Sequence, residues 1–586
     1  MNRDSERNNT FLTERDITMK LSGIAASDGV GIGRVYLAQE ADTDYSGVSF
    51  TSAENEKERL SSAIDAFCVK TEALFNRTKE NVGEKEAGIL AGQMSMVKDP
   101  FMLSQMNDMI DTSVTAEAAV DTVCGMFIEM FSGVDDELTK QRAADIADLR
   151  RRLLLLLLGR HDLDLAGLPK NSVIIAYDFT PSMTVGIDVQ NVAAIVAECG
   201  GMTSHSAILA RALGLPAVLG CEGALSSAKD GENIIVDGGE GTVIISPDEN
   251  ELKEYENRQK SQLDEKNKLS AFIGAKTQTA DKQSVDLYAN IGSPSDLDAV
   301  MQNDAEGIGL FRSEFLFMDR TSMPSEEEQL DAYKKVASAM GDKEVIIRTL
   351  DVGGDKEIGY LGLEKEENPF LGYRAIRLCL GNRQMFKTQL RALLRAAVYG
   401  NIKIMLPLIS TLDELNEAKE LIEECKRELK AENLPFKEVP VGIMVETPAA
   451  ALCADLLAKE ADFFSIGTND LTGYTMAADR GNKKVQYLYS AYNIAVIRSI
   501  KQVISAAKEA KIPVGMCGEA AGDPLMIPLL IAFGLNEYSV SATSVLRTRK
   551  IISQWSKEDA DRLAGEVMKL TSASEIYEYL KANAKC

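Results

Sequence analysis

From residue 276 onward, short apolar runs alternate eight times with helical segments, and that alternation constrains the fold more than any other feature of the chain. The runs are Val285–Gly292, Gly307–Arg312, Val345–Arg348, Ile404–Leu408, Val441–Glu446, Phe463–Thr468, Pro513–Cys517 and Glu537–Ser541. Several are apolar at successive positions, as parallel strands covered on both faces must be. The intervening segments, such as QLRALLRAAVYGN at Gln389–Asn401, are amphipathic or apolar enough to cover them. Eight such units in series predict a (β/α)8 TIM-type barrel.

A barrel of this kind does its chemistry where strands end at their C-termini. Here the second run ends at Arg312, with Glu314 beyond it, and the third at Arg348, followed by Asp351 and, past a Gly-Gly turn, Lys356. The fifth ends at Glu446, Asn469 and Asp470 follow the sixth, and the seventh ends at Cys517. NPFLGYRAIR adds Arg374 and Arg377, and Arg480 follows the sixth run. Arginine pairs with phosphate and carboxylate through a planar fork, so several at one mouth predict a small, multiply charged anion. Glu446 and Asp470 are oxygen donors suited to Mg2+ alongside water and substrate oxygens. A cysteine beside arginines and a metal is placed to donate a proton to carbon. Each residue has a plainer role when taken singly: a surface ion pair, a helix cap, a small buried hydrophobe. Their shared topological end favours chemistry.

The N-terminal half follows a different pattern. Leu21–Leu37 reads as short strands joined by glycine turns, with the Gly29–Gly33 cluster as one such turn. Ser52–His161 is helical, with apolar residues spaced by three and four, and looks inserted into a mixed domain. The mixed pattern resumes at NSVIIAYDFTPS (Asn171–Ser182) and runs to GTVIISP (Gly241–Pro247). Asp248–Ser270 is strongly charged and predicts a solvated connecting helix. The predicted division is a polar, disordered extension at 1–18, an α/β domain of 19–48 and 162–247, a helical bundle at 49–161, a helical linker at 248–275 and the barrel at 276–586.

Composition removes some functions. A formal net charge of -25 argues against nucleic acid as a partner. The longest apolar run, Leu153–Leu158, is far short of the ~18–20 residues of a membrane helix, so no stable membrane insertion is expected. No export signal pattern is visible, and the nine cysteines lack paired spacing, which predicts reduced thiols and a cytoplasmic protein.

The chain has only two histidines. His161 stands in polar company between a helical end and DLDLAGLP. His205 lies in ECGGMTSHSAILARALGLPAVLG, after the strand-like VAAIVA and a glycine pair. Thr203-Ser204 can cap a helix through SAILARAL, which puts His205 beside free backbone N–H groups that favour phosphate. A neutral ring nitrogen there can take a phosphoryl group; a solvent-facing helix residue is the other reading.

The segments GGMTSHSAILARALGLPAVLG, GIGLFRSEFLFMDR, VIIRTLDVGGDKE, ENPFLGYRAIR, VGIMVETPAA, FFSIGTNDLTGYTMAADRGN and VGMCGEAAGD together resemble the Enzyme I family of the bacterial phosphoenolpyruvate:sugar phosphotransferase system. The likeness runs from about Leu21 to Thr548. GGxTSH alone is shared with pyruvate phosphate dikinase and phosphoenolpyruvate synthase, but those need a large ATP-binding domain for which this chain has neither length nor motif. The resemblance implies a helical bundle inserted in a phosphohistidine α/β domain, followed by a phosphoenolpyruvate-binding barrel that forms a homodimer. It implies that His205 accepts phosphate at Nε2 and that Arg312, Arg348, Lys356, Arg374 and Arg480 hold phosphoenolpyruvate, with Asn469 on the phosphate. Glu446 and Asp470 would bind Mg2+, Cys517 would protonate the enolate to release pyruvate, and the bundle would dock the phosphocarrier HPr. Met202 stands where the family usually has arginine, Met183 where it has an acidic residue, and Gln93, on the docking helices, where histidine is common. Two rival expectations are a regulatory paralogue feeding a nitrogen-type phosphorelay and a carrier-independent pyruvate/phosphoenolpyruvate enzyme.

Overall fold

The computed structural model describes Thr18–Lys585 except residues 39–40, 82–83, 133–136, 161–164, 166, 180–182, 184–186, 202–203, 319, 321, 354–357, 365 and 483. His161, Met202, Lys356 and all but the last residue of the N-terminal extension therefore lie outside the described residues. The chain divides into two compact units, Met1–Glu265 and Lys266–Cys586.

The first unit combines an eight-stranded sheet with a helical bundle. The strands are β1 (Met19–Ser22), β2 (Ile24–Ser27), β3 (Val30–Leu37), β4 (Ser172–Ala176), β5 (Val192–Ala197), β6 (Ala217–Leu219), β7 (Asn233–Asp237) and β8 (Thr242–Ile245), in the order β1-β8-β7-β3-β4-β5-β6-β2. The central pairs β3–β4, β4–β5 and β5–β6 are parallel, and antiparallel strands flank them on both sides. Every residue of SVIIA in β4 is buried, because each face of the sheet carries its own apolar core. The glycine cluster differs from expectation. Gly29 makes a turn at φ 119°, but Gly31 and Gly33 lie inside β3. A Cβ on Gly33 would come 1.9 Å from the carbonyl oxygen of Asn171, so this glycine permits close strand packing.

Between β3 and β4 run α1 (Ala53–Asn81), α2 (Glu84–Val97), α3 (Pro100–Asp111), α4 (Ala116–Ser132) and α5 (Glu137–Leu157). Asp99 caps α3 by accepting from the N–H groups of Phe101 and Met102, and Pro100 occupies the first helical turn, where no N–H is needed. Leu149, Leu153 and Leu154 of α5 pack with Leu60, Phe67, Met106 and Val120 in the bundle core, so the leucine run is a buried helix segment. Gln93 is fully buried: its amide donates to Asp148 at 3.1 Å, and Arg152 donates to its carbonyl at 3.0 Å. It thus faces the bundle interior and not a docking surface. The charged stretch after β8 forms the helix Glu249–Ser270, most of whose residues are exposed.

The second unit is a closed barrel of eight parallel strands: β9 (Asp286–Ile291), β10 (Ile308–Arg312), β11 (Glu344–Arg348), β12 (Asn401–Leu406), β13 (Val441–Val445), β14 (Phe464–Ile466), β15 (Val514–Met516) and β16 (Glu537–Ser541), with β16 pairing back to β9. All eight apolar runs supply a strand. The sixth is cut to three residues because Thr468 already opens the helix Thr468–Met476. Outward-facing strand residues such as Phe311, Ile347, Ile404, Ile443, Phe464 and Tyr538 join the helices in one large core. A smaller interior cluster of Leu310, Ile346, Met405, Met444, Phe463 and Cys517 fills part of the barrel.

Candidate active site

The alternation of a strand points Arg348 and Cys517 inward at the ends of β11 and β15, while their neighbours Ile347 and Met516 enter the outer core. At this C-terminal mouth Arg312, Arg348, Arg374, Glu446, Asn469, Asp470, Arg480 and Cys517 line a single cavity of about 200 Å³. Eight of the residues singled out in the sequence thus come together. Lys356 lies outside the described residues. His205 is in the other unit, where it is the first residue of α6 (His205–Leu213), behind the N-cap Ser204. Ser204 Oγ accepts from the N–H of Ala207 at 3.3 Å, and Gly214 closes the helix in the left-handed region.

Two of these arginines, Arg348 and Arg374, are held by acids. Arg348 hydrogen-bonds Glu314 and pairs with Asp351 at 2.9 Å. Burial alone would lower the Arg348 pKa; Glu314, Asp351 and Glu446 outweigh it and keep the guanidinium charged. Arg374 donates to Asp351 at 2.8 Å, to Asp470 at 3.3 Å and to the Tyr474 hydroxyl at 3.3 Å. Breaking either set would strand a buried charge, so these pairs fix where each fork points.

Glu446 is buried, and one carboxylate oxygen accepts from the N–H of Leu408 at 2.7 Å. Burial raises its pKa to about 8, and the carboxylates of Asp470 and Asp351 push in the same direction. Three mutually repelling carboxylates at one mouth are a donor set that a divalent cation would relieve. Among the described residues no group of three or more His, Cys, Asp or Glu side chains is arranged to hold a metal by itself. Two carboxylates completed by substrate oxygens and water fit the habits of Mg2+, which keeps part of its hydration shell.

Burial pushes the Cys517 thiol up to about 11, against the effects of Ser465 and Arg348. At neutral pH it therefore carries a proton. It is an acid in waiting and a poor nucleophile.

Sequence reasoning named Asp351 as a strand-end residue but gave it no task; it pairs both Arg348 and Arg374. Tyr474 and Tyr489 escaped notice altogether. The Tyr474 hydroxyl donates to the carbonyl of Phe370, and Tyr489 donates to the carbonyl of Asn469 at 2.9 Å. Tyr474 was detectable, since it stands four residues after Asp470 on one helix and so shares its face. Tyr489 leaves no such local trace.

The match to known proteins covers nearly the whole chain. Three family models fit: the N-terminal domain of PEP-utilising enzymes over residues 22–142, the mobile domain over 168–241 and the PEP-binding domain over 266–557. The phosphoenolpyruvate-protein phosphotransferase of Priestia megaterium is 44% identical over 97% of this chain and 99% of its own length. That of Geobacillus stearothermophilus is 46% identical over 96% of this chain and 97% of its own. An Enzyme I protein solved by NMR is 32% identical over 41% of this chain and 99% of its own, with a TM-score of 0.37.

Proposed function

The chain belongs to the phosphoenolpyruvate-protein phosphotransferases, and on that premise we propose that it moves phosphate from phosphoenolpyruvate to His205 and on to the carrier HPr. The observation that carries the reading is the convergence of four arginines, two metal-competent carboxylates and one protonated thiol on a single cavity.

Arg312, Arg348, Arg374 and Arg480 bind the carboxylate and phosphate of the substrate, with Lys356 as a further cation and Asn469 donating to the phosphoryl group. Arg348 and Arg374 are already engaged by Glu314, Asp351 and Asp470, so the site alone has little surplus to offer a multiply charged anion. Glu446 and Asp470 would hold Mg2+, which when bound would supply the missing charge and polarise the phosphoryl oxygens. As the phosphoryl group leaves, the Cys517 thiol gives its proton to the methylene carbon, and the enolate becomes the ketone of pyruvate. Trapping that ketone makes departure downhill.

The acceptor is His205. His205 opens α6, and a helix N-terminus offers free N–H groups and a favourable dipole to a phosphate. The carrier docks on the bundle of α1–α5. Phe101, Met126 and Met130 are 63%, 48% and 54% exposed there, and Phe101 meets Phe127 edge to face at 6.3 Å. An apolar patch on an acidic protein suits a partner with a matching apolar face and basic rim. A homodimer through the barrel and a cytoplasmic location complete the reading. Among the described residues no helix is long and apolar enough to cross a membrane.

Labelled phosphoenolpyruvate with Mg2+ tests the proposal. His205→Ala should take up no label, whereas the parent is labelled and passes the label to HPr. Label retained on the variant overturns the assignment.

A further inference from the structure

Below the mouth, the barrel interior contains buried polar atoms that the reaction as described does not use. Ser465 on β14 is paired in register with Gly515 on β15, and Gly515 with Glu537 on β16. The three lie at one level, and all face inward, since their neighbours Phe464, Ile466, Val514, Met516 and Tyr538 belong to the outer core. Gly515 leaves a gap between the other two, which are two strand spacings, or about 9.5 Å, apart along the sheet. The Glu537 carboxylate leans into that gap: a Cβ on Gly515 would come 2.5 Å from Oε2, and one on Gly309 would come 2.3 Å from Oε1. Two glycines thus clear the room this carboxyl occupies.

Both ends of the gap hold orphans. Glu537 Oε1 is buried and has no hydrogen-bond partner among the described residues. The Ser465 hydroxyl too has no hydrogen-bond partner among the described residues; it lies near enough to the Cys517 thiol to favour its ionised form, while the thiol hydrogen points to the Ile466 carbonyl at 3.9 Å. A buried polar atom left unpaired costs about 1–3 kcal/mol, and one ordered water between two such atoms removes both costs. At its other side Glu537 is in register with Asp286, which is exposed at the start of β9.

We propose that Glu537, Ser465 and a water between them form a proton path that leads from Asp286 at the N-terminal end of the barrel to the Cys517 thiol. The path deepens the phosphotransfer reading and rests on Cys517 being the acid. Cys517 gives its S–H proton to the methylene carbon of the enolate and is left as a thiolate. Ser465 Oγ–H reprotonates the sulfur, the water passes its proton to the serine oxygen, and the Glu537 carboxyl passes its own to the water. The Glu537 carboxylate then regains a proton from solvent through Asp286, so one proton is taken up per turnover and no other species changes. Cys517 is only 5% exposed, which favours an internal supply.

Glu537 can hold the proton it must give. Burial raises its carboxyl to about 8, with Glu344 on β11 and Asp286 on β9 adding to the shift and Lys403 on β12 opposing it. Tyr288 on β9 and Cys517 just beyond β15 also face it electrostatically, but Tyr288 stays neutral because burial raises its hydroxyl pKa further. Glu344 is itself engaged by Lys403 at 2.7 Å and by the Tyr288 hydroxyl at 3.1 Å.

The test compares the first and later turnovers of the full-length enzyme with Mg2+, labelled phosphoenolpyruvate and excess HPr. In Glu537→Gln and Ser465→Ala, the first phosphorylation of His205 should keep its parental rate, because the thiol starts protonated. The second should slow at least tenfold, with KM for phosphoenolpyruvate within twofold and the alkaline fall in rate near pH 8 lost in Glu537→Gln. Equal slowing of both turnovers, or none in either variant, overturns the path. Cys517→Ala separates the two levels of the argument: a normal first turnover in that variant would overturn the acid assignment itself, whatever Glu537 does.

Discussion

Tyr474 donates its hydroxyl hydrogen to the backbone carbonyl of Phe370, which fastens the loop before Arg374 to the helix that carries Asp470. The same hydroxyl accepts from Arg374 at 3.3 Å, and the Phe370 ring lies 5.7 Å from the Arg374 guanidinium. One phenol therefore sets both the fork and the aromatic wall beside it.

Tyr474→Phe should accordingly weaken substrate positioning without unfolding the barrel. A hydrogen bond to a charged or buried partner contributes about 1–1.5 kcal/mol, so kcat/KM for phosphoenolpyruvate should fall roughly five- to tenfold. Most of the loss should appear in KM, because Arg374 grips the substrate before and during transfer alike. Steady-state kinetics measures the split.

Glu446→Gln keeps the shape of the side chain and removes the charge of one proposed metal ligand. The Mg2+ concentration giving half-maximal phosphorylation should rise at least tenfold, roughly the scale on which altered ligand shells weaken metal sites. The variant should keep its thermal midpoint without Mg2+, since burial and the facing carboxylates already hold Glu446 largely protonated and an amide oxygen still accepts from the Leu408 N–H. Metal titration followed by label uptake, beside a melting curve, checks both halves.

Glu537 makes a separate statement about stability. Burial raises its carboxyl to about 8 in the folded barrel from an ordinary glutamate value of 4.5, so between those values the folded state binds more protons than the unfolded one. Stability from this group is fully present below the unfolded pKa and declines as pH rises toward 8, by at most about 1.4 kcal/mol per pH unit. Glu537→Gln cannot titrate and should flatten that decline. Urea unfolding at pH 5.5, 6.5 and 7.5 measures the slope, which should be shallower in the variant than in the parent.

How much of this was legible in the sequence depends on how local each cause is. The barrel was readable because a strand buried on both faces must be apolar at successive positions, and the chain repeats that pattern eight times. The mouth was readable because strand ends bring Arg348, Glu446 and Cys517 to one side whatever the loops do. Gly33 was misjudged as a turn residue, since its need for a bare Cα comes from Asn171 more than a hundred positions later. The burial of Gln93 leaves no trace in the sequence of its own helix, because its partners Asp148 and Arg152 lie on another helix and draw it inward. The role of Glu537 was hidden for the same reason: only strand register reveals that Ser465 and Gly515 share its level.

The bundle yields the last prediction. Phe101 is mostly exposed at the start of α3, so replacing it leaves the core of Met102, Met106 and Ile110 in place. Exposed aromatics at the centre of an apolar patch are the usual anchors of an interface, worth about 2 kcal/mol or more when lost. Phe101→Glu puts an unpaired carboxylate against the partner's apolar face, where it must be desolvated without compensation. It should lower kcat/KM for HPr about thirtyfold, while phosphorylation of His205 by phosphoenolpyruvate keeps its parental rate. Because the first step needs no carrier, a matching loss in both steps would place the carrier elsewhere and make Phe101 a residue of the fold alone.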